Sequence, residues 1–330
     1  MTIHLDSGVI GGLCDETVAF DAAVMALESQ RAGAEQLPPR IDVDVATGFL
    51  RVMPAALGEF MGAKIMTLAR GVGNRYLILV YRQDSGELLA TLDAAEITKY
   101  RTAATTALAG HLLVPDGVSS LGLIGTGFEA EGHLRAFARL WPLSHVSVYS
   151  RSQDKRESFA ARMSTDLGID IVAVDSADAV CAAHAVTVLA TKASEPVVNG
   201  KSFARGATVL SIGSTRPDLR ELDDDTFARA HSVLVDDVAQ VLTESGDVAA
   251  ALACGALSDG ALVSLPEWAG PRLSDPERDL AVFKSVGTAV QDLALSAVLI
   301  AKAAEAGLGR DIGNLSELKT GAPVRKKELA

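Results

Sequence analysis

The sequence predicts an α/β fold, a doubly wound parallel sheet joined to an N-terminal α+β unit that the last helix completes. Three observations predict it. After residue 115, the short apolar runs SLGLIG, HVSVYS, AVTVLAT, ATVLSIG and SVLVD recur with helical segments between them, the pattern of a parallel sheet with right-handed crossovers. Before residue 93, IDVDV, FLRVMP, AKIMTLA and RYLILVYR are β-type runs punctuated by Gly and by the turn-like DSG at 84–86, which predicts an antiparallel sheet. The closing VFKSVGTAVQDLALSAVLIAKAAEAGLG reads as a strand, a small-residue turn and a long helix stopped at Gly307 or Gly309, able to return to the first unit.

In chain order, residues 16–32 place Val18, Ala22, Met25 and Leu27 near one helical face, with acids at the front and Arg31 near the end. The β-type runs follow from Pro38 to Leu92. Residues 94–113 are rich in Ala and Leu and end before Pro115, so a helix leads out of the first unit and a boundary falls near 115. The expected division is 1–115, rejoined by 291–330, and 116–290. No internal repeat or low-complexity tract interrupts it.

The chain has 330 residues, 48% of them hydrophobic, enough to bury a substantial core. A net charge of −12 with scattered basic residues gives no footprint for nucleic acid. The start, MTIHLDSGVI, lacks a basic stretch and a long apolar run, and no segment reaches the ~18 apolar residues a spanning helix needs, so a soluble cytoplasmic protein is expected. Cys14, Cys181 and Cys254 lie far apart, and His111, His133, His145, His184 and His231 show no ligand spacing, so no metal site is expected.

One turn carries chemistry. In LGLIGTGFEA an apolar strand ends at Gly125, Gly127 and Ala130, the G-x-G-x-x-G/A spacing of a dinucleotide loop, and HVSVYS follows within a ~30-residue βαβ unit of Rossmann type. Gly125 makes the tight turn, Gly127 lets a pyrophosphate approach the backbone, and Ala130 permits close packing of the helix. The second strand ends in Ser150, Arg151 and Ser152, not in the acid that bonds a ribose 2′-hydroxyl. A guanidinium pairs with a 2′-phosphate, so NADP(H) is expected over NAD(H). Lys155 and Arg156, one turn further on, either add charge there or form a solvated helix face.

Three cations stand in unusual company. Arg40 follows two prolines, and Arg101 lies among small helical residues, where a guanidinium faces a ligand, a carboxylate or a domain junction. Lys64 has apolar neighbours on both sides in MGAKIMTLA, so its ammonium must reach a cleft, a partner or solvent. Asp236, Asp237 and Asp247 read as caps of strand and helix ends.

Several longer motifs share one order with a known family: PPR at 38–40, RVMPA at 51–55, AKIMT at 63–67, ITKYRTAATTALA at 97–109, GTGFEAEGHLRAF at 125–137, VYSRS at 148–152, IGSTRPDLRELDD at 212–224, LVDD and ESGD within 234–247, and FKSVGTAVQD at 283–292. On these the chain resembles the ornithine cyclodeaminase and mu-crystallin family of NAD(P)-dependent imine and amino-acid enzymes, over nearly its whole length. STRPDLRELDD and VYSRS bring it nearest the ketimine-reductase branch. The cyclodeaminase branch carries an Asp that activates water and amine where this chain has Thr215, whose hydroxyl does not ionise near neutral pH.

The resemblance implies an NADPH-dependent reductase of a ketimine amino acid, working as a homodimer through its N-terminal sheet, with the site between the two units. It implies Arg40 and Arg101 on the substrate carboxylate, Lys64 in the cleft assisting proton transfer, and Met53, Thr102, Thr215 and Arg216 beside the substrate. Thr191, Ser285 and Gly287 join the glycine loop around the cofactor, the last two beside the nicotinamide. An alanine-type dehydrogenase and an NADPH-dependent small-molecule binder are the alternatives. Glu129 departs from the Gln of the relatives; a carboxylate beside a pyrophosphate weakens binding unless it points away, so Glu129 is left out of the cofactor set.

Overall fold

Alternating residues with a period of two give each N-terminal strand one face for a helix layer and one for something else. The computed structural model describes residues 2–258, 260–270 and 279–315, so the expected return of 316–330 to the first unit lies outside the described residues. The first unit runs β1 (Ile3–Leu5), α1 (Ser7–Leu13), α2 (Glu16–Arg31), β2 (Glu35–Gln36), β3 (Ile41–Val45), β4 (Gly48–Leu57), β5 (Phe60–Ala69), β6 (Gly73–Arg82), β7 (Leu88–Asp93) and α3 (Ala95–Leu113). Strands β3 to β7 pair antiparallel, and β1 joins the far edge parallel to β7.

Register puts one face of this sheet in three cross-strand rows. Met53 stands opposite Lys64 and Lys64 opposite Ile78; then come Arg51, Met66 and Tyr76, and then Phe49, Leu68 and Asn74. Helix α2 buries Ala19, Ala22, Ala23, Ala26 and Leu27, whereas Met25 is 49% exposed. The apolar face expected over Val18, Ala22, Met25 and Leu27 is thus turned toward the alanines, whose small side chains let α2 lie close on α3.

The second unit contains β8 (Ser120–Ile124), α4 (Phe128–Leu140), β9 (His145–Tyr149), α5 (Gln153–Leu167), β10 (Asp170–Ala173), α6 (Ala177–Ala183), β11 (Val186–Leu189), β12 (Thr208–Ser211), α7 (Asp224–Arg229), β13 (Ala230–Val235), α8 (Val238–Glu244), α9 (Gly246–Ala253), β14 (Leu262–Ser264) and β15 (Leu280–Lys284). Their order, β10-β9-β8-β11-β12-β15-β13-β14, is that of a Rossmann-type sheet, every pair parallel. The order reverses between β8 and β11, where such sheets open a crevice.

Helix α10 (Ala289–Ala306) leaves β15 through a four-residue turn and packs on α2, α3 and strands β4 to β6 of the other sheet; β16 (Arg310–Asp311) then pairs with β1. One buried cluster runs through both units, from Leu92 and Ile97 to Leu123, Phe137, Phe283 and Leu299. Among the described residues no helix is long and apolar enough to cross a membrane.

Candidate active site

A cleft of about 800 Å³ lies between the carboxyl ends of β8, β11 and β12 and the three-row face of the first sheet. At its nucleotide end Gly125 has φ +124°, and an added Cβ would come within 2.4 Å of the Ala190 carbonyl oxygen, so only glycine lets β8 turn this close to the loop after β11. Gly127 is the N-cap of α4 and has open space before it, which leaves the first amides of α4 free to meet an anion. Thr126 Oγ1 donates to Ser150 Oγ at 3.2 Å and joins the loop to the end of β9. This arrangement fits a dinucleotide.

Gly125, Thr126, Gly127, Ser150, Arg151 and Thr191 line the cleft. Two other predicted cofactor residues stand behind it. Ala130 is fully buried under the loop, in the packing role the spacing assigned, and Ser152 caps α5 by accepting from the Lys155 amide. Arg151 is exposed with no protein partner among the described residues, whereas Arg156 is buried, donates to the Ser150 carbonyl at 3.2 Å and contacts Asp175. Arg156 is therefore a strut and not a solvated face.

At the inner end the three predicted cations converge, each held from behind. Lys64 Nζ, 3% exposed as a residue, donates to Thr98 Oγ1 at 2.7 Å and to Asp292 Oδ1 at 3.1 Å. Arg101 Nε reaches the same Asp292 oxygen at 3.0 Å, and its Nη1 reaches Gln291 Oε1 at 2.9 Å. Arg40 Nη2 donates to Gln240 Oε1 at 2.9 Å and to the Gly287 carbonyl at 2.8 Å, while its Nε stands 2.5 Å from Glu244 Oε1. Nη2 of Arg101 and Nη1 of Arg40 keep no protein hydrogen bond among the described residues. Two guanidinium edges are thus left to meet a carboxylate.

Burial sets the titration of this end. It pulls the Lys64 ammonium down to about 8, with Arg101 adding to the effect and Asp292 opposing it. It pushes the Glu244 carboxyl up to about 7 against the pull of Arg40 and Arg51. Met53, Thr102, Thr215 and Arg216 all line the cleft; Thr102 Oγ1 is turned to the Thr98 carbonyl at 2.6 Å, and Arg216 is paired with Asp218. Met66, Leu68, Tyr76 and Phe49 extend an apolar wall outward from Lys64.

Ser285 and Gly287 face the cleft in a turn clasped by Asp236, whose Oδ2 accepts from Ser285 Oγ at 2.7 Å and from the Gly287 amide at 2.6 Å. Of the three acids read as caps, only Asp237 is one, at the start of α8. Asp247 instead accepts from the amides of Glu221 and Leu222 and pairs with the fully buried Lys284 at 3.1 Å. Glu221, also fully buried, accepts from Thr191 Oγ1 at 2.8 Å, from Ser211 Oγ at 2.8 Å and from the Gly213 amide at 2.7 Å, so it ties the loops after β11 and β12 together.

Sequence reasoning missed Glu221, Lys284, Glu244 and Asp292 as members of the site. Asp292 had left a sign: a carboxylate in the first turn of a helix that then runs LALSAVLIA. Glu129 lines the cleft beside the cations and not behind the loop. Among the described residues no group of three or more His, Cys, Asp or Glu side chains could hold a metal ion.

The comparisons agree with this geometry. The model of the ornithine cyclodeaminase/mu-crystallin family matches residues 11–307. The chain is 34% identical over 284 residues to the ketimine reductase mu-crystallin of Mus musculus, covering 83% of this chain and 87% of that one. It is 30% identical over 315 residues to a Δ1-pyrroline-2-carboxylate reductase of Bacillus cereus, covering 90% and 95%. Among solved structures, the Δ1-pyrroline-2-carboxylate reductase of Thermococcus litoralis in complex with NADH and L-proline has a TM-score of 0.87 at 28% identity, covering 94% of this chain and 100% of that one. Over residues 11–307, from the first helices to the end of α10, the chain belongs to the ornithine cyclodeaminase/mu-crystallin family.

Proposed function

We propose that this chain reduces a ketimine amino acid, such as the cyclic pyrroline-2-carboxylate or piperideine-2-carboxylate, to the L-amino acid with NADPH. The observation that carries the reading is the convergence of Lys64, Arg40 and Arg101 at the blind end of a cleft whose other end is a dinucleotide loop. A reduced nicotinamide, when bound, supplies hydride. The chain's own residues bind and orient: the free edges of Arg40 and Arg101 take the carboxylate, and the Lys64 ammonium assists protonation of the nitrogen. Thr215 in place of an acid leaves no base for cyclodeamination at that position. The division at about 115 separates a substrate and dimerisation unit, which α10 completes, from a cofactor unit.

Arg151 supports NADP(H) over NAD(H), because an unpaired guanidinium at the end of β9 faces the place a 2′-phosphate occupies in such folds. A homodimer is supported by β3, where Ile41, Val43 and Val45 are 60%, 53% and 54% exposed on an edge of the sheet. A cytoplasmic location is part of the same reading.

The test is NADPH oxidation with cyclic and linear ketimines, with and without ammonia. Turnover of preformed imines without ammonia is the expected result; turnover that requires ammonia assigns an alanine-type dehydrogenase, and tight NADPH binding without any turnover assigns a binder. Arg151→Ala raises the Kd for NADPH about tenfold and leaves that for NADH unchanged. Equal losses for both cofactors would remove Arg151 from the 2′-phosphate.

A further inference from the structure

The electrostatics of the blind end leave one carboxyl group unaccounted for. Arg40, Lys64 and Arg101 face Glu244 and Asp292 there, and these two carboxylates are already taken up in holding them. Glu129, in the first turn of α4, adds a third acid to the same cleft. Its Oε2 is shut off from solvent and has no hydrogen-bond partner among the described residues. A buried carboxyl oxygen with nothing to bond costs stability unless something else bonds it, and the open side here is the cleft. Asp292 and Glu244 also have one unpaired oxygen each, but the other oxygen of Asp292 is fixed by Lys64 and Arg101 and that of Glu244 by Arg40, and Glu129 is the one of the three that lines the cleft.

We propose that Glu129 is a further catalytic residue, the acid that protonates the substrate nitrogen. The inference rests on the reductase reading. With the substrate carboxylate on the free edges of Arg40 and Arg101, the imine carbon and nitrogen would lie one and two bonds further into the cleft, whose wall on the α4 side is Phe128 and Glu129. The imine C=N becomes CH–NH by taking hydride, with its electron pair, at carbon from the reduced nicotinamide and a proton at nitrogen from the Glu129 carboxyl. What remains is the oxidised nicotinamide and the Glu129 carboxylate, which then pairs with the amine once that group takes a second proton from solvent.

The surroundings keep the proton available. Lys64 from β5, Tyr76 from β6, Lys99 and Arg101 from α3 and Lys192 from the loop after β11 face this carboxyl. Burial nonetheless pushes Glu129 above the usual carboxylate range, against the pull of Arg101, Lys64, Lys192 and Lys99. Lys64 has two of its three N–H groups on Thr98 and Asp292, so it stabilises the developing charges while Glu129 moves the proton.

Glu129→Gln keeps the shape and removes the acid. It is expected to lower kcat about 100-fold or more with KM changed far less, Glu129→Asp recovering part of the loss, while the Kd for NADPH measured by nucleotide fluorescence stays within about twofold. A second measurement needs no turnover: calorimetric titration of the NADP+ complex with L-proline and with cyclopentanecarboxylate, which lacks the nitrogen. The preference for L-proline is expected to fall about tenfold in Glu129→Gln, with affinity for cyclopentanecarboxylate retained. An unchanged preference, or a kcat within about threefold of wild type, overturns the proposal. Failure of the wild-type enzyme to reduce any imine overturns the reductase reading, and the binding preference then still decides whether Glu129 meets the nitrogen.

Discussion

Gly287 shows how much one position can be asked to do. Its φ of +78° belongs to glycine, its amide is held by Asp236, its carbonyl by Arg40, and an added Cβ would come within 2.3 Å of Arg101 Nη1. The turn thereby sets the spacing of both guanidinium groups. Lys64 is the residue whose state pH changes. Its charged form is the assisting one and its pKa is lowered to about 8, so kcat/KM is expected to fall as pH rises through about 8. Lys64→Arg, which does not titrate there, removes that limb if Lys64 causes it; a limb that persists unchanged belongs to another group. Arg40, Lys64 and Arg101 were legible because a charge among small or apolar residues is out of place in a sequence. Glu244 was not, since an acid near a helix end looks ordinary until a partner is brought against it from 200 residues away, as Gln240 and Glu244 are against Arg40, and Glu129 stood out only as a departure from the relatives' Gln.

At the scale of elements, the glycine loop and the strands alternating with helices could be read directly, because each is a local pattern. The edge strands β10 and β14 were passed over: DIVA and LVS are four and three residues long, too short to show a period. The face of α2 was misjudged because alanines, not the larger Met25, make its contact. The loops after β11 and β12 owe their relative position to Glu221, whose two oxygens gather donors from both. Glu221→Gln turns an amide N–H₂ toward one set of donors and is expected to cost about 2–3 kcal/mol, read as a lower midpoint in denaturant with unchanged slope. A midpoint within error of wild type would show that the loops hold without it.

For the whole molecule, the alternation in IDVDV is that of a strand with one buried face, yet all five residues of β3 are exposed. The apolar set of Ile41, Val43 and Val45 is left exposed on the sheet edge, the surface that the proposed homodimer would cover. Val43→Asp places a charge in that surface and is expected to give a monomer by light scattering at concentrations where the wild type is a dimer; a wild-type monomer, or a variant dimer of unchanged strength, would discard the interface. That the last helix returns to the first unit could be read from the closing segment; which strands it covers could not. Strands β4 to β6 receive their cover from α10, which begins at residue 289, whereas α3 ends at residue 113.

That return sets a timetable for synthesis. At about 5–20 residues per second, a ribosome needs roughly ten to forty seconds to go from the end of α3 at residue 113 to the end of α10 at residue 306. Throughout that interval the nascent N-terminal sheet carries Met53, Ala55 and Ile78 without the helix that buries them. The first part of the chain to emerge is therefore among the last to finish folding, and it is in that window that the protein has most need of a chaperone.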